Sequence, residues 1–259
     1  MLLETRAVSK SFGGLMANRG IDFSVKAGEI AAIIGPNGSG KTTFYNVLTG
    51  ISPASSGEIF FNGVNITKTP PDSIAKLGIS RTFQNIRLFA NLTVAENLIV
   101  ARHGKRRSGV FDALLRTRLA KEEDGDNEAA VHKYLSFVGL YDRRDLLAKN
   151  LPYGMQRRLE IARAMATEPA LLLLDEPAAG MNPRETDDLM GIIASLQKEG
   201  YTIVLIEHTM RLVMNIAERI VVFDHGYKIA DGLPEAIRND EKVIEAYLGR
   251  GTSGFEHHA

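Results

Sequence analysis

The stretch "GPNGSGKTT" (Gly35–Thr43) constrains this chain more than any other. It fits the spacing G-x-x-x-x-G-K-[ST] from Gly35 to Thr42. "IAAII" precedes it and is apolar throughout, which predicts a strand buried on both faces, as in a parallel sheet. The residues after it predict a helix over Lys41–Leu48 that stops at Gly50. Strand, glycine-rich loop and helix in that order are the setting in which this spacing cradles phosphate. Gly35, Pro36, Asn37, Gly38, Ser39 and Gly40 would form the loop, with backbone N–H groups turned inward around phosphate oxygens. The helix N-terminus adds partial positive charge. Lys41 would reach the β- and γ-phosphates, Thr42 would bind Mg²⁺, and Thr43 closes the stretch.

A phosphate loop needs a second arm for its metal. In "LLLLDEP", Leu171–Leu174 predicts a strand beside the loop, ending in Asp175. Asp175 is then the acid on the Mg²⁺ side. Glu176 lies one residue further, where the chain turns past the γ-phosphate. There it could orient a water and take its proton.

Composition removes other classes. The 259 residues carry 31 basic and 31 acidic side chains, a formal net charge of zero. A dedicated nucleic-acid binder is usually basic, so no nucleic-acid partner is expected. Cysteine is absent, which excludes thiolate chemistry and cysteine zinc sites. The opening "MLLETRAVSK" has no signal-peptide core. The apolar runs are too short to span a bilayer, so membrane contact is expected only through a partner.

Along the chain, β-rich segments come first: Leu2–Val8, Ile21–Val25, Glu29–Ile34 and Glu58–Asn62. From Asn91 to Thr167 the pattern turns helical, opened by a capping box of Thr93 and Glu96. The basic cluster Lys105, Arg106 and Arg107 reads as a solvated loop. From Ala170 strands and helices alternate: Leu171–Leu174, Pro183–Glu199, Thr202–Ile206, Thr209–Ala217 and Ile220–Asp224. A short β segment "GYKIADG" and helices near Pro234–Arg238 and Val243–Leu248 follow. Leu189, Ile192, Ile193 and Leu196 share one helical face and read as core. The expectation is an α/β fold with a nucleotide-binding core over 1–90 and 168–250. A helical insertion would span 91–167, and a frayed tail 251–259.

Six features in order resemble the ATP-binding subunits of ABC transporters. They are the aromatic in "SKSFGG", the phosphate loop, Gln84 in "RTFQN", "NLPYGMQRRLEIARA", "LLLLDEP", and His208 in "VLIEHTM". The resemblance covers nearly the whole chain. It implies a P-loop NTPase core of the ABC type, with an antiparallel β subdomain and an inserted α-helical subdomain. It implies that Phe12 stacks on adenine, that Gln84 contacts Mg²⁺ or the attacking water, and that His208 touches the γ-phosphate. The segment Leu151, Pro152, Tyr153 and Gly154 stands where the family commonly shows Leu-Ser-Gly-Gly, facing ATP held by the opposite subunit. Pro152 suits an early helix position but supplies no serine hydroxyl. Asn182 replaces a common Asp and, with Pro183 and Glu185, reads as a helix cap.

"ISRTFQNIRLF", "DEPAAGMNP", "LIEHTMRLVM" and "IEAYLG" resemble one subfamily, the ATPase subunits of branched-chain amino acid importers. That likeness implies Mg²⁺-dependent ATP hydrolysis and a second ATPase subunit, identical or related. It further implies two membrane permease subunits, a periplasmic amino-acid-binding protein, and a cytoplasmic place on the inner face of the membrane. A lipopolysaccharide-export ATPase and a soluble ABC ATPase are the alternatives. A ribosome-associated form usually carries two phosphate loops in one chain, and a DNA-repair clamp carries a long coiled coil; neither is seen. A GTPase would need N-K-x-D, which is absent.

Overall fold

The computed structural model describes residues 1–105 and 118–248. Strands β1 (Leu3–Phe12) and β2 (Leu15–Val25) form a hairpin, and β4 (Ser56–Phe61) and β5 (Val64–Asn65) extend it into an antiparallel sheet of order β2-β1-β4-β5. Both hairpin strands are longer than their sequence pattern predicts. Ala7 has φ 47, and the β1–β2 register shifts between Thr5 and Val8 and again near Lys10. Each inserted residue flips the in/out alternation, which hides a strand from a period-2 reading. The extension makes Phe12 the last residue of β1.

The second sheet has order β10-β9-β3-β8-β7-β6. It comprises β3 (Ile30–Ile34), β6 (Ile79–Arg81), β7 (Leu171–Asp175), β8 (Thr202–Ile206), β9 (Arg219–Asp224) and β10 (Tyr227–Gly232). All pairs but β9–β10 are parallel. β3, β7 and β8 are buried along their whole length, as expected of a sheet covered on both faces. The leucines divide by parity. Leu172 and Leu174 join one core with Leu159, Leu189 and Ile193, while Leu171 and Leu173 join another with Phe44, Tyr45 and Phe223. Trimming one of these leucines to alanine costs about 2–5 kcal/mol.

The leucine strand β7 is not the neighbour of β3, because β8 lies between them. Helix α1 (Lys41–Leu48) spans the gap: it leans across the sheet until Tyr45 Oη donates to Leu174 O at 3.5 Å. Helix α2 (Pro71–Lys76) and the short strands β5 and β6 carried no sequence signal. Two or three residues are too few to display a period.

Between Asn91 and Thr167 the described residues form helices α3 (Val94–Arg102), α4 (Arg118–Phe137) and α5 (Tyr153–Ala166). The capping box forms as read: Thr93 Oγ1 accepts from Glu96 N, and Glu96 accepts from Thr93 N. Arg106, Arg107, the side chain of Lys105 and the tail fall outside the described residues. Helices α6 (Pro183–Lys198), α7 (Met210–Ile216), α8 (Pro234–Arg238) and α9 (Glu241–Leu248) complete the chain. Asn182 and Glu185 cap α6 reciprocally, and Leu189, Ile193 and Leu196 are fully buried. No described helix is long and apolar enough to cross a membrane.

Candidate nucleotide site

The glycine-rich loop follows β3 and is clamped from two sides. At Gly35, φ is 145, and a Cβ would fall 2.0 Å from Phe223 O of β9. At Gly40, φ is 102, and a Cβ would fall 2.3 Å from Ala17 O of β2. Only glycine fits either place. Asn18 Nδ2 donates to Gly40 O at 3.1 Å and Gly226 N donates to Ser39 O at 3.1 Å, so both sheets hold the loop. Lys41 curls back over it, Nζ donating to Gly35 O at 2.7 Å and Pro36 O at 2.9 Å. Burial pushes the Lys41 ammonium pKa down, opposed by the charges of Glu176 and Asp175. Nζ also lies 3.5 Å from Ser39 Oγ, and an ammonium held by neutral oxygens of the loop can exchange them for phosphate oxygens.

The two acids have separate surroundings. Asp175 is buried, and its Oδ2 accepts from Arg81 Nη2 at 2.7 Å. Burial nonetheless pushes its carboxyl pKa up, with Arg81 opposing. Glu176 has φ 46, a strained conformation worth about 1–3 kcal/mol in a non-glycine residue. Its backbone N–H is tied to Ile206 O at 2.9 Å. Its Oε2 accepts from Gln84 Nε2 at 2.9 Å and lies 3.8 Å from His208 Nδ1. Two side chains far apart in sequence, Gln84 and His208, thus converge on one carboxylate.

A cavity of about 850 Å³ takes Phe12, Asn37, Gly38, Thr42, Gln84, Glu176 and His208 into its walls, together with Gly40, Lys41 and Thr43. Phe12 is 52% exposed, with Lys10 Nζ 4.8 Å from its ring centre. An aromatic face left open to a cavity is suited to stacking. Arg19 and His225 also reach this wall, though no sequence pattern marked them.

For a metal, the donor set suits a hard cation. Asp175 Oδ1 is buried and has no hydrogen-bond partner among the described residues; Thr42 lines the cavity, and Asp175 lies behind its neighbour Glu176, which does. No group of three or more His, Asp or Glu that could hold an ion stands among the described residues. Mg²⁺ takes few protein ligands and completes its shell with phosphates and water.

Pro152 stands at the N-cap of α5, not inside its first turn. Its φ is −53, as proline requires, but ψ is 151 and no side chain caps the helix. Met155 N and Gln156 N bond Pro152 O, leaving the N–H groups of Tyr153 and Gly154 at the helix mouth. Leu151 turns its side chain into the core and Gly154 is buried against the Glu185 side chain, so of the four only Pro152 and Tyr153 are exposed. None of the four lines the cavity around Lys41.

Residues 18–179 match the ABC transporter family, and residues 228–252 match the branched-chain amino acid ATP-binding cassette transporter family. This chain belongs to the ABC transporter ATP-binding family. It is 46% identical over 252 residues to the high-affinity branched-chain amino acid transport ATP-binding protein of Escherichia coli, covering 96% of this chain and 98% of that one. The corresponding protein of Pseudomonas aeruginosa is 45% identical, with 96% and 98% covered. A nucleotide-free ATP-binding cassette from an ABC transporter superposes with TM-score 0.83 at 35% identity, covering 96% of this chain and 99% of that one. The ADP conformation of another such cassette superposes with TM-score 0.83 at 34% identity, with 96% and 98% covered. The cassette is therefore an ATP-binding ATPase with the fold that its motifs imply.

Within this cassette, several residues that matter to the site escaped the motifs. Arg81 joins Asp175 to Asn46 Oδ1 of α1 at 2.7 Å and lies 5.1 Å from the Phe83 ring. Arg157 of α5 donates to Phe83 O at 2.9 Å and to Gln84 O, and pairs with Glu160 at 3.1 Å. Glu160 in turn accepts from Arg87 N at 3.2 Å, and burial pushes its carboxyl pKa up. The loop bearing Gln84 is thereby gripped by the helix that begins at Pro152. A charge buried on an otherwise apolar helical face is the one sequence signal for Arg157 and Glu160.

Proposed function

We propose that this cassette hydrolyses ATP to power import of branched-chain amino acids through membrane-embedded partners. The observation that carries the reading is the convergence of Gln84, Glu176 and His208 beside a buried Lys41 in one cavity. ATP would lie along Gly35–Thr43, its adenine on Phe12 and its β- and γ-phosphates on Lys41. Thr42, Asp175 and Gln84 would hold Mg²⁺, which would supply charge neutralisation at the phosphates. Glu176 orients a water and takes its proton, while Lys41 and His208 stabilise the charge that spreads over the γ-phosphate.

The uncapped start of helix α5, with Pro152 and Tyr153 exposed, supports closure by a second ATPase subunit, head to tail, with each nucleotide between one loop and the other's helix mouth. The helical segment 91–167 would swing as a lobe during closure. A groove lined by Phe83, Arg87, Phe89 and Arg163, on the outer side of the Gln84 loop, would receive the membrane subunit. The chain would then sit on the cytoplasmic face of the membrane. Support for the substrate class lies in the match over 228–252 and the names of the relatives.

Co-purification from gently solubilised native membranes tests this. Two multi-spanning proteins and a second, similar ATPase are expected. Recovery with ribosomes, or with no membrane protein, would overturn it.

A further inference from the structure

Glu207 ends the apolar strand β8 and is wholly buried, yet the phosphate-site motifs give it no part. Its two oxygens collect three backbone N–H groups. Oε1 accepts from Ala178 N at 2.9 Å. Oε2 accepts from His208 N at 2.9 Å and Thr209 N at 3.0 Å. Among the described residues no lysine or arginine pairs with it; the one basic nitrogen within range is His208 Nδ1, at 4.0 Å. A carboxylate stripped of water and without a cation is costly to bury. Three converging N–H dipoles meet that cost and make the contacts charge-assisted, hence short and directional.

The donors come from two segments. Ala178 belongs to the turn that starts at strained Glu176, where Ala179 N bonds Glu176 O at 3.1 Å. His208 and Thr209 belong to the switch after β8. Glu207 therefore fastens the Glu176 turn to the His208 backbone. The 3.8 Å separation of His208 Nδ1 and Glu176 Oε2 depends on that fastening.

We infer that Glu207 is a positioning residue for hydrolysis, holding His208 in register with Glu176 and making the two segments move together. Glutamine has the same shape but one acceptor oxygen, and its NH₂ would face an N–H. Glu207→Gln must therefore break at least one of the three bonds. The inference rests on ATP hydrolysis at this site, and ATP turnover by the unmutated chain tests that reading separately.

The experiment measures ATP affinity, kcat and melting temperature for Glu207→Gln, with and without His208→Ala, in the full chain. Loss of an outer partner of a functional group predicts a fall in kcat of about 10- to 100-fold, with ATP Kd within about 2-fold. In the His208→Ala background the same change should add less than about 2-fold, since the lever it acts through is gone. A folded Glu207→Gln protein with full kcat overturns the inference. So does a parallel loss of ATP affinity, or an undiminished effect in the His208→Ala background. If Glu207→Gln does not fold, Glu207→Asp serves, because it keeps the charge but shortens the reach to Ala178. It should lower kcat and leave ATP Kd unchanged; an unaltered kcat overturns the idea.

Discussion

The phosphate loop and the mouth of helix α5 are both helix N-termini, and both answer to the same partial charge. They differ in completeness. The loop is finished within the chain: Lys41 is 7% exposed, its donors are occupied, and Gly35 and Gly40 touch neighbours on either side. The mouth of α5 has an exposed proline at its N-cap, a tyrosine 44% exposed and no capping side chain. A helix start that satisfies itself is ready for a ligand from its own cavity. One that leaves its first residues exposed and uncapped is, on the proposed reading, half a site whose other half would lie on a second subunit. Burial and hydrogen-bond satisfaction thus separate what the cassette does alone from what it does in a pair.

The change that breaks this contrast most strongly is Glu176→Gln. A general base contributes about 10²–10⁴-fold, so ATPase turnover should fall by about a thousandfold while ATP still binds. The closed dimer should accumulate, visible by size-exclusion chromatography with ATP; normal turnover would refute the assignment.

Gly40→Ala attacks the finished side. Its Cβ would meet Ala17 O at 2.3 Å and Asn18 Nδ2 at 2.7 Å, backbone on one side and a buried amide on the other. The expected cost is about 1–3 kcal/mol of strain, read as a lowered melting temperature together with lost ATP binding.

Pro152→Ser sharpens the unfinished side. A hydroxyl restored at the helix mouth can bond a γ-phosphate held by the opposite subunit, worth about 1.5–3 kcal/mol. ATP-driven dimerisation should tighten about tenfold or more in analytical ultracentrifugation. Unchanged or weaker association would show that Pro152 already serves closure.

Phe12→Leu is the mildest. It removes an aromatic face worth about 0.5–1.5 kcal/mol, so ATP affinity should drop a few-fold with kcat preserved. An unchanged affinity in equilibrium binding would take Phe12 out of the site.

How far the sequence reveals the cassette depends on the range of the interactions. Both capping boxes, the Lys41–Leu48 helix and the buried strands were legible, since each follows from residues within a few positions of one another. The full length of β1 and β2 was hidden by the bulge at Ala7, and β6 by its three-residue span. In the site, motif spacing marked Lys41, Asp175 and Glu176, and the family resemblance added Gln84 and His208. Arg81, Arg157 and Glu207 were invisible to it, because their partners lie 94, 74 and 29 positions away.

By itself, then, the sequence determined the phosphate loop, the acid pair at the end of a leucine strand, and the order of sheet and helical segments. Those are local consequences of glycine freedom, hydrophobic period and capping. Only the tertiary structure decided that β8 separates β3 from β7 and that Gln84 and His208 meet at Glu176. The same holds for the buried carboxylate of Glu207, which joins two turns. The physical reason is that strand order and the placing of buried charge are settled by packing and desolvation over the whole molecule, which no short window of residues contains.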